Sequence, residues 1–168
     1  MAVFLCGFMG CGKSTVGRRL AEKLGRKFID MDKYIEKELH LTIPEIFAEK
    51  GEAFFRSTET DTVVKLAGTK SVVACGGGVM LNKKNADEAR KNGIVVYIAA
   101  SFEDCYGRIS GDRIRPIVMA NTKGSLEDIY NKRVPLYEEN SDVKVDGSGT
   151  PAQITERIAE AVCIMNEK

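Results

Sequence analysis

The stretch Gly7-Phe8-Met9-Gly10-Cys11-Gly12-Lys13-Ser14 fits the pattern G-x-x-x-x-G-K-[ST]. It begins where the apolar run Ala2 to Cys6 stops, and Val16, Leu20 and Leu24 then recur at helical spacing. A strand, a glycine turn and a helix in immediate succession leave few folds open. Gly7, Gly10 and Gly12 permit backbone angles that aim successive N–H groups into one concavity beside the positive end of a helix. That arrangement is a phosphate-binding loop. Lys13 is expected to reach the β- and γ-phosphates of ATP and Ser14 to hold Mg²⁺, with Gly10, Cys11, Gly12 and Thr15 completing the nucleotide contacts. Cys11 reads as a small residue that tolerates the turn; oxidative inactivation at its thiol is the alternative.

Downstream, β-rich apolar runs keep alternating with helical segments, the pattern of a parallel sheet joined by crossover helices. Strands are expected near Ala2 to Phe8, Lys27 to Asp30, Ser71 to Cys75, Ile94 to Ala99 and Asp142 to Val145. Helices are expected near Lys13 to Leu24, Met31 to Leu39, Ile43 to Lys50, Glu52 to Leu66 and Lys83 to Lys91, with others opened by Ser101, by Ser125 and by Thr150-Pro151. Thr42 and Glu45 have capping-box spacing, and Gly51 is expected to stop the helix that they open. Residues 111–124 lack a clean period and read as a mobile flap. The expected fold is a three-layer α/β/α sandwich on a five-stranded parallel sheet, a single domain of the phosphate-loop kinase type with this flap as its lid.

With 25 basic and 24 acidic side chains in 168 residues, no global field would draw the chain to nucleic acid or to a membrane surface. No apolar run approaches the roughly 20 residues that span a bilayer, and Met1 leads directly into the first strand. Five scattered cysteines without a C-x-x-C pair suit reduced thiols. A cytoplasmic location is expected. A monomer is expected too, although nothing in the sequence excludes an oligomer.

The acceptor side rests on more scattered signals. Phe28-Ile29-Asp30-Met31-Asp32 places two carboxylates at the end of the second strand, where ligands of open α/β sheets bind. Strand alternation would point both the same way, one toward Mg²⁺ and one toward a hydroxyl; a helix cap plus a first-turn acid is the competing reading. Arg56 and Glu59 are three apart on a helix, a spacing that by itself suits a surface ion pair. Arg133, ahead of Val134-Pro135-Leu136-Tyr137, offers a second guanidinium, and two together suit a carboxylate. Gly76-Gly77-Gly78 at a strand end invites close approach by a ligand. Arg108, Arg113 and Arg115 in or near the flap could stabilise transferring charge on closure, or form a solvated basic loop. His40 reads as structural.

Taken together, the order and spacing of these motifs over nearly the whole chain resemble those of the shikimate kinases. The resemblance implies ATP-dependent phosphorylation of the 3-hydroxyl of shikimate, on the route to chorismate and the aromatic amino acids. It implies that Asp32 holds the ring hydroxyls, its action as a base remaining open, and that Asp30 lies nearer to Mg²⁺ with Ser14. Arg56 and Arg133 look like a carboxylate clamp, with Gly77 and Gly78 as the backbone approach to substrate. Arg115 would touch substrate and transferring phosphate, joining Lys13 and Asp32 in catalysis. Arg108 would lie over the adenine, and Thr150 and Pro151 fall in the adenine-side loop. Another small-acceptor kinase, such as a gluconate or nucleoside monophosphate kinase, and a nucleotide-driven switch are the rival readings.

Overall fold

The computed structural model describes residues 1–111 and 116–166. Its centre is β1 (Ala2–Cys6), buried at every position. A strand flanked on both faces by helices must be apolar throughout, which is why Ala2 to Cys6 shows no polar alternation. β2 (Phe28–Asp30), β3 (Val72–Ala74), β4 (Gly93–Ala99) and β5 (Val143–Asp146) complete an all-parallel sheet in the order β2-β3-β1-β4-β5. The chain therefore leaves β1 toward one edge, through β2 and β3, and later returns on its other side as β4. The carboxyl end of β1 lies at this reversal, where a crevice opens.

Helices close both faces. α1 (Lys13–Lys23) packs against α8 (Pro151–Asn166), and α3 (Ile43–Ala67) packs against α4 (Lys83–Asn92). α2 (Met31–Leu39) joins β2 to α3, α5 (Phe102–Ile109) follows β4, and α6 (Pro116–Met119) precedes α7 (Lys123–Glu139). Phe4, Leu5, Leu20, Met31, Ile46, Met80 and Ile98 fill the core, each fully buried. Among the described residues, no helix is long and apolar enough to cross a membrane.

The capping signals act as read. The Thr42 hydroxyl and Glu45 form a reciprocal box at the start of α3, and the Ser101 hydroxyl accepts from the Asp104 N–H at 3.1 Å. Thr150 and Gln153 cap α8 in the same manner. Gly51, at φ 82° and ψ 169°, lies outside helical geometry, so α3 consists of two helical segments that meet at a kink there, in agreement with its reading as a stop. Within 111–124, residues 112–115 fall outside the described residues, but Pro116–Met119 is helical and α7 already starts at Lys123. The overlooked signal was Thr122, whose hydroxyl accepts from the Ser125 N–H at 3.2 Å. His40 ends α2 in the left-handed region, at φ 55°, a structural role.

A Cβ at Gly51 would meet nothing within 4 Å, so only its backbone angles demand glycine. Gly51→Ala should therefore cost about 1–3 kcal/mol through backbone strain alone, measured as a lowered urea midpoint with an unchanged slope.

Candidate active site

The phosphate loop leaves the buried end of β1 and turns through three glycines with positive φ: Gly7 at 139°, Gly10 at 82° and Gly12 at 101°. Gly10 is also sterically obligatory, since a Cβ there would lie 2.5 Å from the Cys105 carbonyl oxygen. Gly12 occupies the N-cap of α1 with no side-chain hydrogen bond, and the first turn carries no acid. The positive end of α1 is thus kept clear of competing anions. Lys13 Nζ donates to the Gly7 and Phe8 carbonyls at 2.8 and 3.0 Å, arching back over the loop. Cys11 is 1 % exposed, its sulfur behind the loop against Gly7, in keeping with a packing role. Burial pushes the Cys6 and Cys105 thiols up to about 12, so they remain protonated at neutral pH.

Asp30 and Asp32 both line the crevice with this loop, although not by strand alternation. Asp30 ends β2 and caps α2, accepting from the Lys33 N–H at 3.4 Å, whereas Asp32 lies in the first turn of α2. The cap-plus-first-turn reading was right about the backbone, and the shared-crevice reading was right about the side chains. A strand-to-helix corner turns both acids toward the loop and sends Met31, between them, fully into the core. Ser14 Oγ donates to Asp30 Oδ2 at 3.0 Å, which joins the loop to the second strand.

Across the crevice lies the glycine run after β3. A Cβ at Gly76 would stand 2.6 Å from Asp32 Oδ1, one at Gly77 3.7 Å from Arg133 Nη1, and one at Gly78 2.9 Å from Arg56 Nη1. Three successive positions without side chains thus face three of the residues singled out in the sequence, brought together from α2, α7 and α3. The crevice between this run and the loop encloses about 320 Å³, and Thr15 and Arg108 also line it. Arg108 Nη1 donates to the Gly10 carbonyl at 3.0 Å. Thr150 and Pro151 are not among its lining residues; their loop is held by Arg157 Nη1, which donates to the Asp146 and Ser148 carbonyls at 3.0 and 2.7 Å. Arg113 and Arg115 lie outside the described residues. A larger hollow of about 510 Å³ lies between α7 and the β4–β5 edge, but its charges are already engaged: Lys144 with Glu138, and Asp146 with Ser148.

Glu59 is where spacing alone misled. Its side chain is 3 % exposed, and it accepts from Arg56 Nη1 at 2.8 Å while Glu52 takes the other edge of the guanidinium at 3.2 Å. The pair joins an exposed guanidinium to a buried carboxylate. Burial raises the Glu59 carboxyl above its ordinary value, and Arg56 pulls it back only in part. The Arg56 guanidinium, itself raised by the two carboxylates, remains charged and fixed in direction. The sequence signal, had it been used, was a lone acid on the apolar face shared by Phe55, Thr62 and Val63.

This burial has a measurable sign. Above its ordinary value of 4.5 the unfolded chain releases a proton that folded Glu59 still holds, so this group lowers stability as pH rises toward its raised folded value. Glu59→Gln removes that slope: the unfolding free energy of the variant minus that of wild type should grow as pH rises above 4.5 in urea titrations.

Comparison with known proteins agrees with this geometry. The family model for shikimate kinase matches residues 9–163. A shikimate kinase from Persephonella marina is 39 % identical over 158 residues, covering 93 % of this chain and 95 % of that protein. The structure of shikimate kinase from Acinetobacter baumannii in complex with shikimate superposes with a TM-score of 0.89 at 36 % identity, over 99 % of this chain and 95 % of that one. A gluconokinase from Sinorhizobium meliloti, at 18 % identity and a TM-score of 0.53 over 98 % of this chain and 96 % of that one, shares the fold alone. A phosphate loop and a triple-glycine strand end, with two acids and two arginines gathered around them, are thus found in a chain that belongs to the shikimate kinase family.

Proposed function

We infer that this protein transfers the γ-phosphoryl group of ATP to the 3-hydroxyl of shikimate, giving shikimate 3-phosphate and ADP. The observation that carries this reading is the glycine run, which leaves room for a small ring acid where Asp32, Arg133 and Arg56 converge. Two guanidiniums suit the single carboxylate of shikimate, and a carboxylate beside them suits its hydroxyls.

Nucleotide phosphates would lie on the uncapped start of α1, with Lys13 turning from the loop carbonyls to the β- and γ-oxygens. The Ser14 hydroxyl and the Asp30 carboxylate, 3.0 Å apart beside the loop, form a hard-oxygen pair that fits Mg²⁺. Two protein oxygens suffice for an ion that takes its other ligands from phosphate and water, in keeping with the lack of any larger acidic cluster among the described residues. Held there by Ser14 and Asp30, Mg²⁺ would offset the negative charge that the transferring group develops. Arg56 and Arg133 hold the acceptor carboxylate, and Asp32 orients the attacking hydroxyl in line with the γ-phosphate, so positioning supplies much of the acceleration. Arg108 would cover the adenine and Thr150-Pro151 border it. Residues 111–124 would act as the lid and bring Arg115 to the transferring phosphoryl group. The working unit in this reading is a single catalytic domain, a cytoplasmic monomer.

Asp32→Asn should lower kcat by about 10²–10⁴-fold while the KM for ATP stays within about threefold; unchanged turnover would remove Asp32 from the chemistry. Arg56 is 44 % exposed, so Arg56→Ala should cost about 1–3 kcal/mol in kcat/KM for the acceptor, measured against unchanged ATP affinity. The reading itself is tested by coupled ADP release with ATP and Mg²⁺. Release that depends on shikimate, with none on gluconate and little without acceptor, is expected. Release indifferent to acceptor would indicate a nucleotide switch.

A further inference from the structure

The glycine run leaves a structural difficulty. Residues 76–81 follow β3 without being strand, so their carbonyl oxygens have no ladder to join, yet Val79 and Met80 are fully buried. Each carbonyl is nevertheless satisfied. The Val79 and Leu81 N–H groups donate to the Gly76 and Gly78 carbonyls at 3.2 and 3.3 Å. Asn85 Nδ2 donates to the Val79 carbonyl at 2.9 Å, and Asn140 Nδ2 to those of Met80 and Leu81 at 3.0 and 3.4 Å. That leaves Gly77, the middle glycine. Its carbonyl receives the Tyr137 hydroxyl at 2.6 Å, the shortest contact of the set.

Tyr137 lies on α7 one turn after Arg133; burial raises its hydroxyl above the ordinary value, and the Arg133 charge opposes that in part. The Arg133 guanidinium faces Gly77, 3.7 Å from where a Cβ would stand. One buried oxygen is therefore tied to the glycine where backbone and cation meet: it donates to the Gly77 carbonyl, and Arg133 faces the same glycine. The ring is held independently, stacked on Tyr97 with centroids 5.4 Å apart and planes at 26°. Anchoring of the phenyl body and placement of the hydroxyl are thus separable functions.

We propose that Tyr137 is a positioning residue for the acceptor, its hydroxyl fixing Gly77 and Arg133 at one spacing so that a ring carboxylate meets guanidinium and backbone together. The proposal rests on the shikimate reading above. A purely structural tyrosine would affect stability and both substrates alike; a positioning hydroxyl affects the acceptor alone.

The test is Tyr137→Phe in the full chain, which keeps the stacked ring and removes one oxygen. With wild type shown first to consume shikimate, the KM for shikimate should rise roughly tenfold, the effect of losing one buried hydrogen bond, while the KM for ATP stays within about twofold. Calorimetric affinity for shikimate, but not for ADP, should fall in parallel. Equal changes for both substrates, or no change for shikimate, would overturn the proposal. If wild type itself fails to use shikimate, the functional reading falls instead. Should Tyr137→Phe not fold, 3-fluorotyrosine at position 137 keeps the oxygen and alters its acidity. A shift in shikimate KM without one for ATP then supports the proposal, and no shift refutes it.

Discussion

Charged side chains from three helices can meet around a small molecule only if the backbone between them yields its own volume, and Gly76 to Gly78 does so at the end of β3. At Gly76 and Gly78 glycine is a matter of space more than of dihedral angle, since neither has a positive φ, whereas a Cβ at Gly77 would make only an ordinary contact. The cost is conformational, because such a run loses more freedom on folding than any other sequence would. The structure offsets that cost with side chains from outside the run: Tyr137, Asn85 and Asn140 each occupy a carbonyl that the sheet does not reach. An open site and a rigid one are thereby made compatible.

Sheet topology decides where this happens. With β1 at the reversal of strand order, the phosphate loop and the end of β3 are neighbours, and Cys75 N–H donates to the Leu5 carbonyl at 3.0 Å just before the two backbones part. The phosphate loop and the glycine run therefore face each other across one gap, and residues as distant in sequence as Lys13 and Arg133 are brought to its two sides. Buried apolar strands hold that gap open; the polar groups around it contribute chemistry more than stability.

Much of this was legible in the chain. The loop, the alternation of strand and helix and the caps at Thr42, Ser101 and Thr150 depend on short-range patterns, and those survive folding unchanged. Asp32 was assigned to the correct crevice for the wrong local reason, because two residues at a strand end cannot be told from a strand-to-helix corner by spacing alone. Glu59 was discounted because i, i+3 pairing is ordinary on exposed helices, and its burial depends on the opposing layer. The start of α7 at Thr122 was obscured by the glycines and basic residues around it. Asn85 and Asn140 bear no motif at all, since their role is defined by carbonyls of the irregular run after β3, which for Asn140 lie 60 residues away.

Asp30 does two things at once, capping α2 with one carboxylate oxygen and accepting from Ser14 with the other. Asparagine or serine would begin a helix equally well. The formal negative charge at this position is thus more than the cap alone requires, and it lies at the corner where the second strand meets the phosphate loop.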